Sequence, residues 1–159
     1  MSYTWVKQRQ RQRVPYENPE GRRVNALAAL VKGGTTPALY WVAKPGSLRA
    51  HHLVAFLQEL PAVALPTVVV LDNGSIHRSK ETRAALPDLW RCGVHLYFLP
   101  AYAPELNDIE AAFRAIKHHH LPERRYVTVP VLLDAITNAF TTYEEELIAK
   151  HVHHSRRVA

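Results

Sequence analysis

Two blocks decide how this chain is read: T-V-V-V-L-D-N-G-S-I-H-R-S-K, Thr67 to Lys80, and F-L-P-A-Y-A-P-E-L-N-D-I-E-A-A-F-R-A-I-K, Phe98 to Lys117. The first opens as a short continuous apolar run, the pattern of a strand buried on both faces of a mixed or parallel sheet. It ends on an acid, Asp72, whose side chain should emerge at the carboxyl end of that strand, where sites of open α/β sheets gather. In the second block Pro100 and Pro104 bound a rigid loop. Asn107 then caps a helix with Ile109, Ala112, Phe113 and Ile116 on one face and a second acid, Glu110, in its first turn.

Each acid has two readings. Asp72 precedes Asn73-Gly74, so its carboxylate can close an Asx turn onto backbone amides. Glu110 stands three residues after Asn107, the spacing of a capping box. Placed together at the ends of elements that border one loop system, the two acids instead form hard oxygen donors for Mg²⁺ or Mn²⁺. Two-metal phosphoryl transfer needs such carboxylates to hold ions about 3.5–4 Å apart. His77, five residues beyond Asp72, is placed to touch phosphate or orient a water.

Working outward, Arg23 to Val31 and Pro37 to Ala43 read as an antiparallel hairpin turning at Lys32-Gly33-Gly34, the first strand's alanines also suiting a helix. Ser47 starts a helix with Leu53, Phe56, Leu57 and Leu60 at core spacing that stops before Pro61. Ser79 to Cys92 reads as a helix interrupted by Pro87 and closed by Gly93. Val94 to Leu99 is a further strand. A last helix runs from about Pro130 to Tyr143, with the chain fraying beyond Lys150 into a basic His/Arg tail, residues 151–159. Strand, strand, helix, strand, helix, strand, helix, helix describes an α/β domain with a mixed sheet, placed in residues 1–150.

Composition fits one domain of 159 residues, 47% hydrophobic, with no apolar run near the ~18 residues of a membrane span. No apolar leader follows Met1, and the single cysteine, Cys92, rules out an internal disulfide framework. These features lead us to expect a cytoplasmic, nucleoid-associated protein. The net charge of +6 is concentrated in Lys7, Arg9, Arg11 and Arg13, in Arg22 and Arg23, and in the C-terminal H-V-H-H-S-R-R. Such clusters attract polyanions, nucleic acid among them, although solvated surface charge produces the same count.

The two long blocks resemble the second and third acidic motifs of DDE transposases, in the mariner-like superfamily and its bacterial insertion-sequence branch. Asp72, Asn73 and His77 fit an apolar strand ending D-N-x-x-x-H. Leu99, Pro100, Tyr102, Pro104, Glu105, Leu106, Asn107, Ile109 and Glu110 fit L-P-x-Y-(S/A)-P-E-L-N-P-I-E, with Lys117 further on. Asp108 replaces the usual proline and Phe113 stands near the usual aromatic. The resemblance covers roughly residues 3 to 140 and implies an RNase H-like sheet flanked by helices. It makes Asp72 and Glu110 two of three catalytic metal ligands for a two-metal Mg²⁺ or Mn²⁺ site. Asn73, His77, Arg78, Lys80, Asn107, Arg114 and Lys117 become supports of the site or DNA contacts. The implied partners are transposon-end and target DNA, a second copy in the full-length form, and an upstream half of the transposase.

The family's first Asp lies on a strand that precedes the segment beginning here near Tyr3, and no aspartate precedes Asp72. That strand is central in the family sheet, between the strands expected at Val24–Val31 and Val68–Leu71, and the family's helix-turn-helix domain has no counterpart. The expectation is therefore the C-terminal part of a transposase, a remnant or the second frame of a split gene, inactive alone. A different RNase H-like metal nuclease and a non-catalytic nucleic-acid-binding or inhibitory partner are the alternative classes. His118-His119-His120 and the His151, His153, His154 group read as solvated helix-end residues or phosphate contacts, since consecutive helical positions splay about 100° apart. Cys92 reads as structural, and Trp5, Trp41 and Trp90 as core or interface anchors.

Overall fold

A computed structural model describes residues 23–32, 36–60, 66–101, 103–121 and 126–158. The N-terminal basic segment with Trp5, the Gly33-Gly34 turn, Pro61 and Tyr102 lie outside them.

The ambiguous segment is a strand. β1, Val24–Val31, pairs antiparallel with β2, Ala38–Pro45, in a register running from Val24 opposite Pro45 to Val31 opposite Ala38. Residues that alternate along β1 reach two different cores. Leu27 and Ala29 join Leu53, Phe56 and Leu57 on one side, while Ala26, Ala28 and Leu30 join Ile116, Ala139 and Phe140 on the other. Small side chains suit this position because a strand alternates its faces and both faces here are covered.

Helix α1, Ala50–Gln58, starts after Arg49, two residues later than Ser47 led us to expect. Its Leu53, Phe56 and Leu57 are buried, Leu57 being 1% exposed. At about 1.5–3 kcal/mol for each such side chain, this face fixes α1 in place.

β3, Thr67–Leu71, and β4, Val94–Phe98, pair in parallel, Thr67 opposite Val94 and Leu71 opposite Phe98. Two short helices join them, α2 at Lys80–Ala84 and α3 at Leu86–Arg91. Ser79 caps α2 by accepting from Thr82 N at 3.1 Å, and Pro87 stands in the first turn of α3, so the expected interruption divides two helices. Gly93 has φ +78°, the left-handed conformation that reverses the chain after α3, and its carbonyl accepts from Thr67 N at 2.8 Å. Leu89 of α3 is wholly buried and ties this layer to the core shared with β1 and α1.

One mixed sheet was expected. Among the described residues there are two sheets of two strands each, β1 with β2 and β3 with β4. β1 and β3 each have one paired edge, and Leu27 of β1 and Val69 of β3 meet across the same hydrophobic cluster without sharing a ladder. The expectation that β3 is buried on both faces is also corrected. Val68 is 61% and Val70 46% exposed, because no described element packs on that side.

After β4 a 3₁₀ turn, Pro104–Leu106, leads to α4, Asp108–Ala115. The helix continues as a π turn, Ile116–His120, in which Leu121 N donates to Ile116 O at 2.9 Å. His118 and His119 are exposed, while His120 turns inward against Tyr143 and lies 3.8 Å from Glu146 Oε2. α5, Val129–Val158, is far longer than the helix expected to end near Tyr143. Its apolar side carries Ile136, Ala139, Phe140 and Tyr143 onto β1 and β2, with Trp41 stacked on Phe140 at 5.0 Å between ring centroids. Beyond Tyr143 the charged residues still favour a helix, since Lys150 pairs with Glu146 one turn earlier at 3.3 Å. Trp90 is exposed, which excludes the core half of its expected core or interface role, and Cys92 is an exposed free thiol at the end of α3. None of the described helices is long and apolar enough to cross a membrane.

Candidate metal centre

The parallel pairing of β3 and β4 brings the ends of both strands, and so the two sequence blocks, to one place. Asn73 fastens the junction by donating from Nδ2 to the Leu99 carbonyl at 2.7 Å, and Leu99 N donates to Leu71 O at 2.8 Å. A cavity of about 400 Å³ opens there, lined by Asp72, Asn73 and Gly74 from one block and by Leu99, Pro100, Ala101, Asn107 and Glu110 among others from the second. The strand end and the helix start thus deliver their acids to a common hollow.

The Asx-turn reading of Asp72 holds for one oxygen, and the other oxygen is left open. Oδ1 accepts from Gly74 N at 2.8 Å, which is the Asx turn, and from His77 Nδ1 at 2.6 Å. A carboxylate cannot donate, so His77 carries its proton on Nδ1. With Oδ1 held by two donors, the carboxylate is oriented, and no described group bonds Oδ2. Half of the Asp72 side chain is exposed and His77 is mostly covered, the arrangement of a ligand backed by a positioning residue.

Glu110 differs. The capping box does not form, since Asn107 makes no side-chain capping bond and sits at φ −103°, ψ 84°, short of the extended geometry that aims a cap over the helix end. Only the backbone takes part, Glu110 N donating to Asn107 O at 3.0 Å. The Glu110 carboxylate is exposed and bears none of the hydrogen bonds of the described residues.

The other expected supports divide. Asn73 and Asn107 line the cavity, and His77 touches Asp72. Arg78 lies over the Phe98 ring, 5.8 Å from its centroid, at the end of β4. Lys80, Arg114 and Lys117 are exposed and are not part of the cavity lining. Sequence reasoning missed Lys32, at the end of β1, whose ammonium pairs with Asp108 at the start of α4. Seventy-six residues separate the two, and no local pattern could have joined them.

The donor set fits a hard divalent cation, with two carboxylates, no sulfur, and amide-bearing neighbours. Among the described residues no group of three or more His, Cys, Asp and Glu side chains converges. Two acids therefore stand where a two-metal centre employs more.

Compared with known families, residues 1–132 match the family described as DDE superfamily endonuclease. No curated protein gave a significant match to the chain.

Proposed function

The chain belongs to the DDE superfamily endonuclease family, and we propose that it is the part of a transposase that supplies two of three metal-binding acids. In this reading the complete domain cleaves transposon-end DNA and joins it to target DNA, within the mariner-like, insertion-sequence branch. The observation that carries it is the meeting of Asp72 and Glu110 at one cavity, on the two longest motifs of the chain.

Asp72 would hold a divalent ion through Oδ2 and Glu110 through its carboxylate, which no described residue engages. When bound, Mg²⁺ or Mn²⁺ supplies Lewis acidity toward a phosphoryl oxygen and lowers the pKa of a bound water. The chain's own residues do the positioning. His77 and Gly74 N–H fix the Asp72 carboxylate, and Asn73 holds the β3 end against Leu99. Arg78, over the Phe98 ring at the end of β4, offers a charge to the phosphate backbone. The third donor would come from a strand seated between the edges of β1 and β3 that no described strand pairs, and without it the chain is inactive.

A plasmid-nicking assay with purified chain and Mg²⁺ tests the reading. The chain alone leaves supercoiled DNA intact. An extended chain, carrying an added N-terminal strand that ends in Asp, nicks it and loses that activity on Asp72→Asn. Nicking by the chain alone refutes its incompleteness, and an extended chain that folds yet nicks equally with Asp72→Asn refutes the assigned site. His77→Ala should weaken metal binding by about tenfold or more, as loss of an orienting partner does.

A further inference from the structure

Thr82, in α2, carries a buried hydroxyl that is not part of the cavity lining, the residue being 1% exposed. A valine of the same shape would fill that space with no polar atom to satisfy, and an unbonded buried hydroxyl is costly. This hydroxyl is fully engaged. Oγ1 accepts from Ser79 Oγ at 3.0 Å and donates to the Ile76 carbonyl at 2.7 Å. Capping of α2 needs only Ser79 Oγ and Thr82 N, so it does not account for the Thr82 hydroxyl.

The Ile76 carbonyl belongs to the peptide unit that joins Ile76 to His77. At the other end of that unit His77 N donates to Gly74 O at 3.0 Å, and Arg78 N donates to the same oxygen at 3.2 Å. A peptide unit is planar, so bonds at both ends fix its orientation and the direction in which His77 leaves the backbone. The Ile76 side chain packs on the hydrophobic cluster of β1 and α1, a third restraint on the same unit. His77 in turn donates from Nδ1 to Asp72 Oδ1 at 2.6 Å. That bond has little slack, since a Cβ on Gly74 would stand 3.0 Å from Asp72 Oδ1 and 3.2 Å from His77 Nδ1.

We propose that Thr82 is a positioning residue of the acidic cavity. Its hydroxyl, acting through the Ile76–His77 peptide unit, aims the His77 ring at Asp72 and so orients the carboxylate. Thr82 itself touches neither acid. The inference rests on the metal-centre reading only for what Asp72 then binds, and the relay of hydrogen bonds stands without a metal.

The test has a metal-free arm and a metal arm, both on the full chain. With EDTA present, the His77 Nδ1 proton is followed by imidazole NMR at one fixed pH and assigned by its absence from His77→Ala. The relay predicts that this proton, protected by Asp72, is seen in the unaltered chain and in Thr82→Ser, which keeps the hydroxyl. Thr82→Val, confirmed folded by circular dichroism, loses it to exchange with water. Thr82→Ala removes the same hydroxyl and takes the place of Thr82→Val if the latter does not fold. A folded variant without the hydroxyl that keeps the resonance overturns the proposal. Absence of the resonance from the unaltered chain, or its loss from Thr82→Ser as well, also overturns it. In the metal arm, Mn²⁺ titration should show Thr82→Val lowering affinity by up to about tenfold and Thr82→Ser restoring it. Added to His77→Ala, Thr82→Val should cost nothing further, because both act through one contact. An undiminished further loss on that background overturns the relay. If the unaltered chain binds no Mn²⁺, the metal-centre reading fails, and the metal-free arm still decides the role of Thr82.

Discussion

The two sheets are built from similar residues but do different work. β1 and β2 lie between two hydrophobic clusters, one centred on α1 and the other on α4 and α5. Among the described residues, β3 and β4 are covered on one face only, where Val69, Val94 and Leu96 meet α1 and α3. Their other face shows Val68, Val70 and Tyr97 to solvent, Tyr97 being 57% exposed. The doubly covered sheet anchors the fold. The half-covered one presents its strand ends, with Asp72, to the cavity. Burial holds the first sheet, and hydrogen bonds at Asn73, Gly93 and Leu99 hold the ends of the second.

Substitutions can break or sharpen this contrast. The largest effect belongs to the covered sheet. Phe140→Ala removes a ring that touches both Trp41 and Phe113 and should destabilise the chain by about 3–5 kcal/mol in urea unfolding. Within β3 the two faces should separate. Val69→Thr places a hydroxyl against the core, at about 1–3 kcal/mol. Gly93→Ala meets no steric neighbour but must hold φ near +78°, so it should lower stability by about 1–2 kcal/mol through backbone strain alone. Val70→Thr, one residue from Val69 and facing solvent, should change stability by less than about 0.5 kcal/mol. Equal losses at Val69 and Val70 would show that the outer face of β3 is covered after all.

Much of this could be read in the chain itself. Pro87, Ser79 and Gly93 marked the helix boundaries because their roles are local, set by a ring, a hydroxyl and a positive φ. That the two motif acids share one cavity was legible for the same reason, since they lie at the ends of strongly patterned elements. The rest depended on contacts distant in sequence. The run Val68 to Leu71 has the pattern of a strand buried on both faces, and only the arrangement of other elements reveals that one face is open. The Asn107–Glu110 spacing allows a capping box, but the backbone angles of Asn107 prevent it. α5 outran its apolar pattern because ion pairing and helix propensity extend it where core contacts end. Lys32 reached Asp108 through chain reversals that no periodicity encodes.

The central claim is that Asp72 and Glu110 hold a divalent cation together. Calorimetric titration with Mn²⁺ compares the chain with Asp72→Asn and with Glu110→Gln, each confirmed folded by circular dichroism. The account predicts binding by the unaltered chain and a loss of more than about tenfold in affinity for either substitution. An affinity unchanged by both substitutions would contradict it.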